Sequence, residues 1–119
     1  MAYIRKYCGP IFLEVTDRYI KEYCGPIIYE FDRGNFRKYC GPNIYSFDDR
    51  YIRKFCGPIL YEFSNEQLRK YCGPIIYEFS NNEKYIKKYC GPIIYEIDGM
   101  LSRSALMALI IYLFILNNN

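Results

Sequence analysis

A Cys-Gly-Pro tripeptide recurs six times in this 119-residue chain, at Cys8, Cys24, Cys40, Cys56, Cys72 and Cys90, with spacings of 16, 16, 16, 16 and 18 residues. A chain built this way folds by repeating one small unit, and each unit buries its apolar face mainly against its neighbours. The unit is easily read in RYIKEYCGPIIYEFDR, RYIRKFCGPILYEFSN and KYIKKYCGPIIYEIDG. The two extra residues of the fifth unit fall within Ser80–Lys84. Insertions are tolerated in surface loops, so the segment after each IIYEF is a connection. Gly-Pro marks a second one. Each unit therefore holds two short elements.

The element after Gly-Pro is IIYEF or a close variant, rich in β-branched and aromatic residues and suited to a strand. Alternation puts Ile75, Tyr77 and Phe79 on one face, Ile76 and Glu78 on the other. The element before Gly-Pro reads better as a short helix. A strand through KYIKKYC would place Ile86, Lys88 and Cys90 together, whereas helical spacing groups Ile86, Tyr89 and Cys90 and turns the lysines outward. Ser64 or Asp48 suits an N-cap, and Gly73-Pro74 a helix stop. The expectation is an α/β repeat solenoid of six 16–18-residue coils, each a strand plus a short helix, with a stacked parallel strand ladder. An all-β solenoid or meander is the alternative. Residues 1–99 form the array and residues 100–119 an apolar tail.

The four residues YCGP resemble the WCGPC loop of thioredoxin-like oxidoreductases. The position after Pro holds Ile11, Ile27, Asn43, Ile59, Ile75 and Ile93, never a second Cys, so the resemblance brings no dithiol chemistry with it. The chain has no His, which removes the side chain that titrates near neutrality and the imidazole metal ligand. No catalytic, cofactor-binding or metal-binding residue is expected, and the reading is of a non-enzyme. The cysteines are expected as buried thiols, each stacked on its copies.

Basic pairs make a second series: Arg5-Lys6, Arg37-Lys38, Arg53-Lys54, Arg69-Lys70 and Lys87-Lys88, interrupted by Lys21-Glu22. Interleaved with Tyr they fit a nucleic-acid backbone, but the acids Glu14, Glu30, Glu62, Glu78 and Glu96 and a net charge of only +3 favour a solvated surface of mixed charge. Tyr23, Tyr39, Tyr71 and Tyr89, and Tyr29, Tyr45, Tyr61, Tyr77 and Tyr95, read as aromatic ladders of the core. Asn43 breaks the apolar pattern and needs a hydrogen-bond partner if buried.

After Gly99 the repeat stops, and Ala105–Leu116 is an unbroken apolar run of twelve residues. As a helix it would be ~18 Å long against ~30 Å of bilayer hydrocarbon. Its IIYLF copies IIYEF, which suggests a degenerate seventh coil; a membrane anchor is the other reading. The chain opens on charged residues with no apolar leader, so a cytoplasmic location is expected, with a single membrane pass near the C-terminus as the alternative. The function expected is a non-enzymatic repeat scaffold that binds another protein or itself through open strand edges. The alternative is a small membrane-associated protein held by Ala105–Leu116. No small-molecule substrate is indicated.

Overall fold

In the computed structural model, which describes residues 1–80 and 84–116, both halves of every repeat are extended. Twelve strands follow in order: β1 Ala2–Lys6, β2 Ile11–Val15, β3 Tyr19–Glu22, β4 Ile27–Asp32, β5 Asn35–Lys38, β6 Asn43–Phe47, β7 Tyr51–Lys54, β8 Ile59–Ser64, β9 Gln67–Lys70, β10 Ile75–Ser80, β11 Tyr85–Lys88 and β12 Ile93–Gly99. Each pairs antiparallel with its neighbours in sequence, and β1 closes on β12 from Ala2↔Gly99 to Lys6↔Tyr95. The result is a closed up-and-down barrel, not a solenoid. The expected short helices, the parallel ladder and the all-β solenoid are all overturned.

Connection length explains the outcome. Parallel strands need a crossover of about a dozen residues. Here β4 and β5 are joined by Arg33-Gly34 alone, and β1 and β2 by Tyr7–Pro10, so each strand can only turn back on itself. Ring closure then pairs every strand on both sides. It removes the open edges on which end-to-end self-assembly was expected to rest.

The segment before Gly-Pro is a strand for a reason that depends on closure. Ile86 points inward, Tyr85 and Lys87 outward, and Lys88 inward again, opposite Tyr77. An inward lysine is awkward in a flat buried sheet. At the end of a barrel the inner face opens to water and the ammonium stays hydrated.

The interior is built in rings. Ile4, Ile20, Phe36, Ile52, Leu68 and Ile86, one from each odd strand, are all 0% exposed. Val15, Phe31, Phe47, Phe63, Phe79 and Ile97 form a second buried ring from the even strands. Eight strands make a lumen that side chains can fill, and sixteen leave a channel. Twelve fall between, with room for one helix.

That helix is the C-terminal run. Helix α1, Arg103–Ile110, continues into wider π-turns over Ile111–Ile115. Every residue from Ala105 to Ile111 is buried, as a helix apolar on all sides requires. The IIYLF segment is thus helical, and not a seventh copy of the strand. Thirteen residues at 1.5 Å make about 20 Å, a fit to a molecule 24 Å along its short axis. The Ser102 hydroxyl caps the helix by accepting a hydrogen bond from the Ala105 amide at 3.2 Å. Arg103 fastens this end to the wall, donating to the Asp49 carbonyl at 3.1 Å and lying 4.7 Å from the Phe63 ring centre. Among the described residues no helix is long and apolar enough to cross a membrane.

Candidate functional site

Because the strands run alternately up and down, all six Cys-Gly-Pro turns stand on one rim and the other connections on the opposite rim. The turn geometry repeats. The Gly9 amide donates to the Lys6 carbonyl at 2.8 Å, with Tyr7 and Cys8 between them. Cys8 adopts φ +60°, and the other five cysteines lie between +55° and +60°. This is a type II turn with Cys where Gly or Asn is usual. A left-handed conformation costs a residue bearing a Cβ about 1 kcal/mol or more. The glycine that follows is needed for space. A Cβ on Gly57 or Gly91 would sit 3.0 Å from the Cβ of Lys54 or Lys88.

The strain falls on groups that face solvent. All six cysteines are exposed and free, which corrects the expectation of a buried, stacked cysteine ladder. Adjacent turns are two strands apart, about 10 Å, beyond the ~7 Å that a disulfide spans. The aromatics before them, Tyr7, Tyr23, Tyr39, Phe55, Tyr71 and Tyr89, are 46–49% exposed and are no core ladder. Several lean edge-on against an outward tyrosine of the wall, as Tyr23 does on Tyr3 at 5.8 Å and Tyr71 on Tyr51 at 6.0 Å. Electrostatic interaction with the neighbouring Cys24 and Cys40 side chains raises the pKa of the Tyr23 and Tyr39 phenols.

The basic pairs divide between the two faces of the wall. The first member of each points outward and meets the once-per-repeat acid directly across the ladder: Arg5↔Glu96, Lys21↔Glu14, Arg37↔Glu30, Arg69↔Glu62 and Lys87↔Glu78, with Arg53 opposite Ser46. Arg37 and Glu30 bond at 3.0 Å. Arg50 takes Glu62 at 2.8 Å in place of its register partner. The Arg37 guanidinium and the Cys40 amide hold the Glu30 carboxyl below its ordinary pKa. Arg37 also donates to Asn43 Oδ1 at 3.2 Å, which gives that out-of-pattern residue its partner. A charged belt of this kind suits water, whereas a barrel wall facing lipid carries an apolar band.

The second member of each pair points inward at the mouth. There Lys6, Lys38, Lys54, Lys70 and Lys88 stand opposite Tyr95, Tyr29, Tyr45, Tyr61 and Tyr77, and Glu22 stands opposite Leu13. Lysine and tyrosine are thus lost together at one register pair, where the first repeat meets the second. Helix residue Tyr112 comes up beside Glu22 and packs on Tyr29 at 5.5 Å. Burial pushes the Tyr61, Tyr95 and Tyr112 phenols upward, and neighbouring tyrosines add to it. An open cavity of about 770 Å³ lies among Tyr61, Tyr77, Lys70 and Lys88, walled by Ile75, Ile76 and Tyr89. Each Cys-Gly-Pro hairpin carries one β-bulge, as between Ile86 and Lys87. The added residue, such as Ile76 or Ile94, packs against the core below the mouth.

Sequence reasoning grouped these side chains by repeat but did not separate the inward cations from the outward ones. The signal was present, since adjacent residues of a strand face opposite ways. Among the described residues no cluster of three or more Cys, Asp or Glu could hold a metal ion. Asn81, Asn82 and Glu83, from the longer fifth connection, lie outside the described residues. Comparison with protein-family models, curated proteins and solved structures finds no match.

Proposed function

We propose that the protein is a non-enzymatic binding module, a rigid barrel that presents its Cys-Gly-Pro rim to a partner protein. One observation carries this reading: six near-identical turns put an exposed aromatic ring and an exposed, conformationally strained thiol on the same end of the molecule. Half-exposed aromatic side chains at the ends of rigid hairpins bury large area on binding with little loss of freedom. Conformational strain repeated at solvent-facing positions is a feature of recognition sites. The chain's lack of His and the ~10 Å thiol spacing give no support to acid–base or dithiol catalysis. Free thiols suit a reducing, cytoplasmic setting.

A photo-crosslinking amino acid tests the reading when placed at Tyr39 on this rim or at Arg18 on the opposite one, in the native host. A discrete protein adduct is expected from position 39 and not from position 18. Equal labelling from both rims overturns the proposal. Pre-treatment of the thiols with a bulky maleimide should abolish the adduct at position 39.

A further inference from the structure

We infer that the mouth of the barrel, inside the Cys-Gly-Pro rim, is a binding site for a multiply charged phosphate-type anion. The inference is independent of the partner-protein reading, because it concerns groups that point into the lumen.

Charge is distributed unevenly over the molecule. On the outer wall five of the six outward cations have an acid as a register partner on one side, and these charges largely cancel. The opposite rim, among its described residues, mixes Asp17, Asp32, Asp48, Asp49, Glu66 and Asp98 with five bases. The mouth holds five lysines against Glu22 alone, a local excess of four charges on a chain whose net charge is +3. None of those five lysines forms a side-chain ion pair or hydrogen bond with another described residue. Their register partners are phenols, which add no negative charge and donate O–H groups to an anion.

Geometry agrees with the charge. The ammonium groups ring an opening, so their fields add at its centre and are bounded by low-dielectric walls, the arrangement that concentrates counter-ions. The cavity volume lies within the ~300–1,000 Å³ of small-ligand pockets, and Lys70 and Lys88 stand on its two sides. Lysine acts on phosphate as a compact point charge, with three donors on a flexible stem. Phenol O–H groups complete the donor set, and Glu22 is the one acid at the mouth. This chemistry fits a chain of linked phosphates, free or at the head of a lipid.

Isothermal titration with sodium tripolyphosphate tests the site, alongside co-sedimentation with phosphatidylcholine vesicles with and without a lipid whose headgroup carries a pyrophosphate. The intact protein should bind tripolyphosphate more weakly as salt is raised. A Lys70→Gln/Lys88→Gln variant should lose about tenfold in affinity, two exposed-charge contacts of ~0.7 kcal/mol each. Glu22→Lys should gain affinity, and Arg18→Gln on the far rim should change nothing. Binding to tripolyphosphate alone points to a free anion. Capture by the pyrophosphate-lipid vesicles that tripolyphosphate reverses and the double variant loses points to a headgroup. No saturable binding of either probe, or binding lost equally with Arg18→Gln, overturns the inference. The lysines are exposed, and an unchanged melting temperature confirms that the variants are folded.

Discussion

Phe114→Ala tests whether the C-terminal helix is the centre of the core. Phe114 is 3% exposed. Its ring stacks on Tyr77 at 4.0 Å between centroids and meets Tyr95 edge-on at 6.1 Å. Removing a buried Phe side chain costs roughly 3–5 kcal/mol in transfer and cavity terms, and aromatic pairing accounts for ~0.5–1.5 kcal/mol on its own. The upper half of that range is expected here. The wall is a closed hydrogen-bonded ring and cannot fold inward to fill the space. A loss of ~4 kcal/mol at a urea slope of ~2 kcal/mol/M lowers the unfolding midpoint by about 2 M with the slope unchanged. Against a typical total of ~5–15 kcal/mol this is a large share. Met100→Ala, at a position 85% exposed, serves as the control and should stay within ~0.5 kcal/mol. A Phe114→Ala shift no larger than the control would remove the helix from the lumen and the barrel argument with it.

Further expectations follow from the same structure. Ending the chain after Gly99 strips the lumen of its filler, so the shortened protein should aggregate or lose cooperative melting; a stable, monomeric barrel by sedimentation and calorimetry contradicts this. All six thiols should react with a small maleimide in the native state, and intact mass showing fewer than six additions means that some are covered. Glu66 sits at φ +59° in a two-residue hairpin turn with Asn65, where Gly is favoured. Glu66→Gly should raise stability by about 1 kcal/mol in urea unfolding, and a net loss refutes the strain argument. The Glu30 carboxyl is held below its ordinary value, so its stabilising contribution is complete above the unfolded-state pKa of ~4.3 and is lost as pH falls through the lower native value. Glu30→Gln should flatten that part of the stability–pH curve, and an unaltered curve excludes the effect.

Much of the fold was open to a reader of the sequence. The period, the two connections per unit and the strand after Gly-Pro follow from turn chemistry and β-branched composition. The lengths of the connections held one further clue. Six Cys-Gly-Pro turns of four residues leave no room for crossovers, and that alone argues for antiparallel hairpins. The helix read into YIKK rested on Lys88 sharing a face with Ile86, a combination that a strand rejects only while its inner face is assumed dry throughout. The same assumption hid the lysine mouth. The apolar tail is short for a bilayer, and as a helix of about 20 Å it fits within the 24 Å short axis of the molecule.

What the residue order determined by itself is a repeat of alternating strands and tight turns, because φ/ψ preferences and side-chain alternation act within a few residues. Whether those hairpins stack, spiral or close is a matter of the whole ring. Pairing Ala2 with Gly99 is a contact across nearly the full chain, and no local preference encodes it. It becomes favourable because closure satisfies the last strand edges and because a lumen of twelve strands matches the width of one apolar helix. Only that closure decides which of two adjacent cations meets an acid outside and which meets a phenol within.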